Sequence, residues 1–299
     1  MSQFEKFNQV AEKLTAEIIE GITNENLQWE KVWNPLNAPK NYFSNRHYLG
    51  FNALYLGYIT QKRKYSQPCF LSFKQAKTLG GNVKKGEKGT TIVFWKISKF
   101  VKGEKTTDSG EKEDIYGKKF TPFVWTVFNV DQIEGIDFKY DTTVRQFEPI
   151  EACQNVIAEY TDCPEIRNDE ETAFYSPSRD FINMPAQNSF KSDESYYSIL
   201  FHEAIHSTGH TSRLGRFENL KISAFGSVEY SFEELIAEIG ASFLNAWTGI
   251  KDDNFKNSLA YLKGWIEPLK NDPKMIIYAS NKAHQAARYI LNINEEGED

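Results

Sequence analysis

Cysteine is scarce in this chain. Only Cys69, Cys153 and Cys163 occur among 299 residues. The number is odd and no pair has C-x-x-C spacing, which excludes a disulfide framework and predicts a reducing compartment. The three thiols are expected to be small buried apolar residues. Long apolar runs are also missing. Nothing approaches the roughly 18 residues of a membrane span, and the N-terminus has no apolar core of a leader peptide. The expectation is a soluble, cytoplasmic protein with no membrane partner. There is no internal repeat, no low-complexity tract, no P-loop and no zinc-finger spacing.

What is present is a chain of two-domain length with 40% hydrophobic and 14% aromatic residues, enough to build real cores. The formal charge of -6 hides an asymmetry. Residues 1–149 hold 22 Lys and Arg against 17 Asp and Glu, a net of +5. Residues 150–299 hold 13 against 24, a net of -11. A basic half joined to an acidic half suggests that one domain meets a polyanion and the other does not.

Phe4, Phe7, Ala11, Leu14, Ile18 and Ile22 recur at three- and four-residue spacing and predict an amphipathic helix. Residues 33–50 read as loop. Short helices are expected over 51–59 and 73–79, the second capped by Ser72 and stopped by Gly80-Gly81. The β-branched and aromatic stretches 90–101 and 121–130 predict strands. The charged segment 102–119 between them predicts a long mobile loop. The first domain is expected over residues 1–140 and the second over 150–299. The second should begin with a helix near 150–160 and two short strands near 172–175 and 180–184. Helices over about 192–208 and 231–247 follow, the latter stopped by Gly249, and then helices over 254–269 and 281–292. The fold class is α+β.

The segment Phe201-His202-Glu203-Ala204-Ile205-His206 is an H-E-x-x-H motif within a predicted helix. Residues four apart share one helical face, so the two imidazoles can converge on one cation, and zinc suits nitrogen ligands. Glu203 is placed to take a proton from a water at that cation. A third ligand is then needed. His210 extends the motif to H-E-x-x-H-x-x-G-H, but Ser212 stands where a metzincin would put its third His. Glu234, on the next long helix, gives the thermolysin-type solution, with Glu238 four residues on to brace a ligand His. Ser231-x-x-Glu234 also reads as a capping box. If Glu234 caps that helix, Glu238 becomes the ligand, and Glu233 is a further candidate.

Residues 60–102 carry eleven Lys and Arg and one acid, Glu87, interleaved with aromatics. Lys74, Lys77, Lys84, Lys85 and Lys88 surround a glycine-rich loop, and Trp95 is expected to face outward from its strand. Lysines neutralise phosphates and aromatic faces stack on unpaired bases. The pattern points to single-stranded nucleic acid.

Asn52-Ala53-Leu54, the stretch 73–81 and Lys84-Lys85-Gly86-Glu87-Lys88-Gly89-Thr90 resemble the N-terminal domain of ArdC-type antirestriction proteins, which also appears in some plasmid primases. The stretches 201–214 and 233–238 resemble that family's zincin-like metallopeptidase domain. The resemblance implies an N-terminal domain that binds single-stranded DNA, carriage on conjugative elements and protection of incoming DNA from restriction. Joined to the residue-level reading, it gives Zn2+ on His202, His206 and Glu234, with Glu203 as general base and Glu238 behind a ligand His. The candidate substrate is a peptide or protein, and the resemblance leaves open whether the domain cuts it. The competing expectation is a zinc metallopeptidase whose basic domain recognises a protein partner. A segment of residues 1–145 is expected to bind DNA by itself.

Overall fold

The computed structural model describes residues 2–23, 38–106, 112–140, 149–217, 228–250 and 264–293. Helix α1, Gln3–Thr23, buries Phe7, Ala11, Leu14, Ile18 and Ile22, while Phe4 stays exposed. Helix α2, Gly50–Lys62, is longer than expected and buried along most of its length. Helix α3, Phe73–Thr78, is nucleated as the sequence suggested. Ser72 accepts from the Gln75 amide, and Gln75 returns a bond to Ser72.

The N-terminal sheet runs β1-β2-β5-β4, from strands β1 (Lys40–Asn41), β2 (Cys69–Ser72), β4 (Thr90–Thr106) and β5 (Lys112–Asn129). A two-stranded ribbon pairs β3 (Asn82–Val83) with β6 (Ile133–Glu134). The loop expected over 102–119 is largely strand. The β4–β5 ladder holds register from Thr90↔Val127 to Thr106↔Lys112, with one shift between Val101 and Gly103. Charge does not bar pairing here, because an antiparallel ribbon satisfies its backbone groups across the ladder. Buried Asn52 on α2 donates to the Val93 carbonyl at 2.7 Å and accepts from the Val93 amide at 2.9 Å. It thereby occupies backbone groups on the free edge of β4.

In the second half, α4 (Pro149–Glu159) precedes a small sheet ordered β7-β9-β8. Its strands are β7 (Glu165–Arg167), β8 (Phe174–Ser176) and β9 (Phe181–Asn183), and β7 had no sequence signal. Helix α5, Asp193–Ser207, is capped by Ser192. Helix α6, Val228–Thr248, starts before Ser231, so Ser231 lies inside the helix and not at the N-cap that the alternative capping-box reading gave it. Gly249 follows α6 at φ 75°, the left-handed stop the sequence suggested. Helices α7 (Ile266–Asn271) and α8 (Met275–Ile290) close the chain. The expected helix over 254–269 lies partly outside the described residues, and α8 starts six residues before its expected 281.

One hydrophobic core spans both halves, joining Phe7, Phe51 and Ile92 to Phe201, Ile205, Leu235 and Ile277. Cys69 and Cys153 are buried as expected, whereas Cys163 is only partly so. No described helix is long and apolar enough to cross a membrane.

Candidate metal centre and nucleic-acid interface

Helix α5 places His202 and His206 one turn apart, and α6 packs against that face. The two Nε2 atoms converge to 3.1 Å. A tetrahedral ion at about 2.0–2.1 Å from each nitrogen would hold them roughly 3.3 Å apart, so the spacing fits such an ion. From α6, Glu234 brings Oε2 to 3.5 Å from His202 Nε2 and Oε1 to 3.5 Å from His206 Nε2. One atom from each of these three residues lies within 4.8 Å of the others. Since α6 begins at Val228, Glu234 lies in its second turn, beyond the cap. Glu203 is 8% exposed on the same helix as the two histidines.

The far nitrogens are held as well. His202 Nδ1 lies 3.5 Å from Glu238 Oε1, and His206 Nδ1 lies 3.3 Å from Glu233 Oε1. Such partners fix ring orientation and tautomer in metal sites. Glu233 is itself gripped by Arg216, whose Nε and terminal nitrogen reach its two oxygens at 3.0 and 2.6 Å. Arg216 also donates to the Ile205 carbonyl and the Thr208 hydroxyl. Arg213 donates to the Ser207 carbonyl at 2.7 Å and pairs with Asp180. Two arginines thus add further donors to the Ile205 and Ser207 carbonyls in the last turn of α5. Arg216 was missed by sequence reasoning, because nothing marks an arginine beyond the motif as folding back onto it.

Burial alone would lower the His206 pKa, but Glu233 and Glu234 outweigh it and push it up to about 10. His202 is raised too, against burial and chiefly by Glu234. Burial would raise Glu234 and Glu233, yet the imidazoles, with Arg216 for Glu233, hold both below the usual carboxylate range. A pocket that favours cations this strongly suits a divalent ion. His210 is not part of it. The chain leaves the helix after Ser207, and His210 turns to Ser212 at 2.7 Å and toward Asp180 at 3.8 Å.

In the N-terminal half, Lys74, Lys77, Lys84, Lys85 and Lys88 are all exposed. The glycine-rich loop that carries three of them is pinned rather than loose. Lys84 Nζ donates to the Asp131 carbonyl at 2.8 Å, Gln132 bonds Glu87 and the Lys88 carbonyl, and Arg63 reaches that same carbonyl. Gly89 serves packing, since a Cβ there would lie 2.4 Å from Thr126 Cγ2. Lys77 pairs with Asn82 and lies over the Phe73 ring. Trp95 corrects an expectation. It does not face outward but packs between Phe7 and Tyr278, with centroids 5.2 and 5.9 Å away. Alternation along β4 then turns Phe94 outward, and Phe94 is 46% exposed.

A sheet-bearing N-terminal half and a second half whose packed helices carry the H-E-x-x-H motif define a two-part protein with a candidate divalent-metal centre in its second part. Comparison with known proteins agrees. Residues 8–128 match the family model for the N-terminal domain of anti-restriction factor ArdC, and residues 153–282 match that for a zincin-like metallopeptidase. The crystal structure of the antirestriction protein ArdC from plasmid R388 in its metal-free form is 34% identical, with a TM-score of 0.67 over 95% of this chain and 99% of that one. Its Mn(II)-bound form gives 0.70 at 33% identity, over 96% and 99%. Two DNA primases TraC of Escherichia coli are each 32% identical over 96% of this chain, but the chain spans only 20% and 27% of their lengths. The chain belongs to the ArdC antirestriction family.

Proposed function

We propose that this protein binds single-stranded DNA through its N-terminal domain and carries a zinc-dependent peptidase centre behind it. The observation that carries the second part is the convergence of two imidazole Nε2 atoms and one carboxylate with every far nitrogen already partnered. A divalent ion is what the donor set fits, and a nitrogen-rich set of this kind favours zinc over magnesium or calcium. When bound, the metal would supply Lewis acidity to a water nucleophile and to the carbonyl it attacks. His202, His206 and Glu234 would hold it. Glu203 accepts the proton of that water on a carboxylate oxygen and returns it to the leaving amine. Glu238 and Glu233 keep the imidazoles oriented through Nδ1.

The DNA-binding part is supported by charge. Residues 38–103 hold thirteen Lys and Arg against Glu87 alone, and eight of the lysines lie on α3, the following loop and β4. Metal analysis and a peptide-hydrolysis assay test the first part. His202→Ala should lose stoichiometric zinc, whereas Glu203→Gln should keep the metal and lose hydrolysis. Full metal retention by His202→Ala would refute the ligand assignment. For the second part, Lys84, Lys85 and Lys88→Ala together should weaken binding to single-stranded DNA at least tenfold at low salt and flatten its salt dependence by up to about three phosphate contacts. Wild-type affinity and slope in the triple variant would remove this loop from the DNA surface. If single-stranded DNA does not bind the wild type at all, the reading gives way to a basic domain that recognises a protein.

A further inference from the structure

A cleft of about 520 Å³ opens on the N-terminal sheet. Its floor is Ile92 and Val127, and its wall is Asn41, Tyr48 and Gln75. Phe94, Phe123 and Trp125 stand along the remainder, with Lys96 at the edge. The register pairs Ile92 with Trp125 and Phe94 with Phe123. Phe94 and Trp125 are therefore diagonal neighbours on one face, with centroids 6.4 Å apart and planes at 84°. Both remain about half exposed, Phe94 at 46% and Trp125 at 56%. Two large rings left open to water beside a concavity cost free energy in the unbound protein. Their neighbour Trp95 shows the alternative, since it is partly buried and packs against the core through Phe7 and Tyr278. Lys96, two residues after Phe94 on the same strand, is exposed, and so is Lys74 beside Gln75.

The geometry points to Phe94 and Trp125 as the stacking platform for unpaired bases, with Lys96 and Lys74 positioned for the phosphates on either side. This rests on the single-stranded DNA reading and deepens it: the two rings add base capture to the phosphate capture of the lysines. The occupant is a nucleic acid, not an apolar peptide, because residues 38–103, which supply most of the cleft lining, hold thirteen basic residues and one acid. Stacking is indifferent to base identity, since every base offers a π-face. The platform thus predicts strand recognition without sequence preference. Duplex DNA keeps its bases stacked on one another and offers nothing to these rings.

The test uses the full chain with its metal and two labelled oligonucleotides of equal length. One is oligothymidylate, and the other has the same phosphates and abasic sugars. Anisotropy titrations should show wild type preferring the oligothymidylate. The double change Phe94→Ala and Trp125→Ala should weaken oligothymidylate binding at least about tenfold, in line with loss of stacking. Abasic-strand binding should move by less than about twofold, because that strand can be held only through its phosphates. Trp125→Phe should retain most of the affinity. If Ala destabilises the fold, Phe94→Leu with Trp125→Leu keeps apolar bulk and removes the aromatic faces, and the same loss is expected. A folded double variant with wild-type affinity for oligothymidylate overturns the platform, as does a wild type that binds both strands equally. Neither result touches the underlying reading, which fails only if the wild type binds neither strand. Loss of a peptide ligand rather than of DNA in the double variant would assign the cleft to a protein partner.

Discussion

Arg216 decides more about the metal centre than its distance from the H-E-x-x-H motif suggests. Its guanidinium spans Glu233, the Ile205 carbonyl and Thr208, and both partners of the ion pair are nearly inaccessible. Arg216→Ala would leave a buried carboxylate beside His206 without its cation. The expected cost is about 3 kcal/mol in stability and roughly 10–100-fold in metal affinity. Arg216→Lys should rescue little, because an ammonium cannot make the two-pronged contact. Chelator competition and thermal melting of the two variants check this. Full metal affinity in Arg216→Ala would mean that Glu233 orients nothing. At this scale the sequence carried the candidate ligands and one support, Glu238, and hid the other, Arg216 behind Glu233. Helical spacing brings His202 to His206, and Glu234 with Glu238 follows the same logic. The choice among three glutamates depends on where α6 begins. That start is set upstream of Ser231, where local capping signals pointed elsewhere.

Elements were legible where a pattern is local, and were missed where pairing decides. Ser72 and Gln75 announce α3 within four residues. By contrast, the charged ribbon arms of β4 and β5 look like loop until they are placed against each other in register, and β7 needs β9 beside it. Asn52 belongs to the second kind. Its two bonds to Val93 tie α2 to the edge of β4. Asn52→Leu would leave a buried amide and carbonyl unpaired, an expected loss of roughly 2–4 kcal/mol in denaturant unfolding of the full chain. A loss under 1 kcal/mol would show that solvent replaces both bonds. On α8, His284 packs on Phe243 at 5.1 Å, and among the described residues neither ring nitrogen has a partner. Burial, and secondarily Arg288, push its pKa down to about 4. The unfolded chain protonates first, near 6.5. The contribution is therefore intact above that value and lost as pH falls toward 4. Stability should drop by about 2 kcal/mol by pH 5, and His284→Leu should remove that part of the acid sensitivity. An unchanged difference in melting temperature between pH 7 and pH 5 would exonerate His284.

The two family segments meet in one core rather than across a linker, and this alters what a separated half can do. Trp95 of β4 lies between α1 and α8, through Phe7 and Tyr278. Asn281 Oδ1 on α8 accepts from the Phe51 amide at 3.1 Å, and Thr15 on α1 donates to the Pro273 carbonyl. Gly50 is held at φ 51° directly against Asn281, where an added Cβ would come within 2.0 Å of its oxygen. Charge asymmetry and motif content suggested separable domains, because neither reports which apolar faces pair. A segment of residues 1–145 would lose the Tyr278 side of Trp95, the partner of the Phe51 amide, and the α8 surface against α2. Each hydrogen bond is worth about 1 kcal/mol, and the exposed apolar area adds more. The expected result is a melting midpoint at least about 10 °C below that of the full chain, or no cooperative transition at all. DNA binding by that segment should fall with its folding, although every lysine of the basic loop is present. Gly50→Ala in the full chain should lower the melting temperature without changing any residue of either site. Circular dichroism melts of the segment, the variant and the wild type decide the matter: a segment that melts cooperatively at the wild-type midpoint would make the shared core incidental and the domains independent.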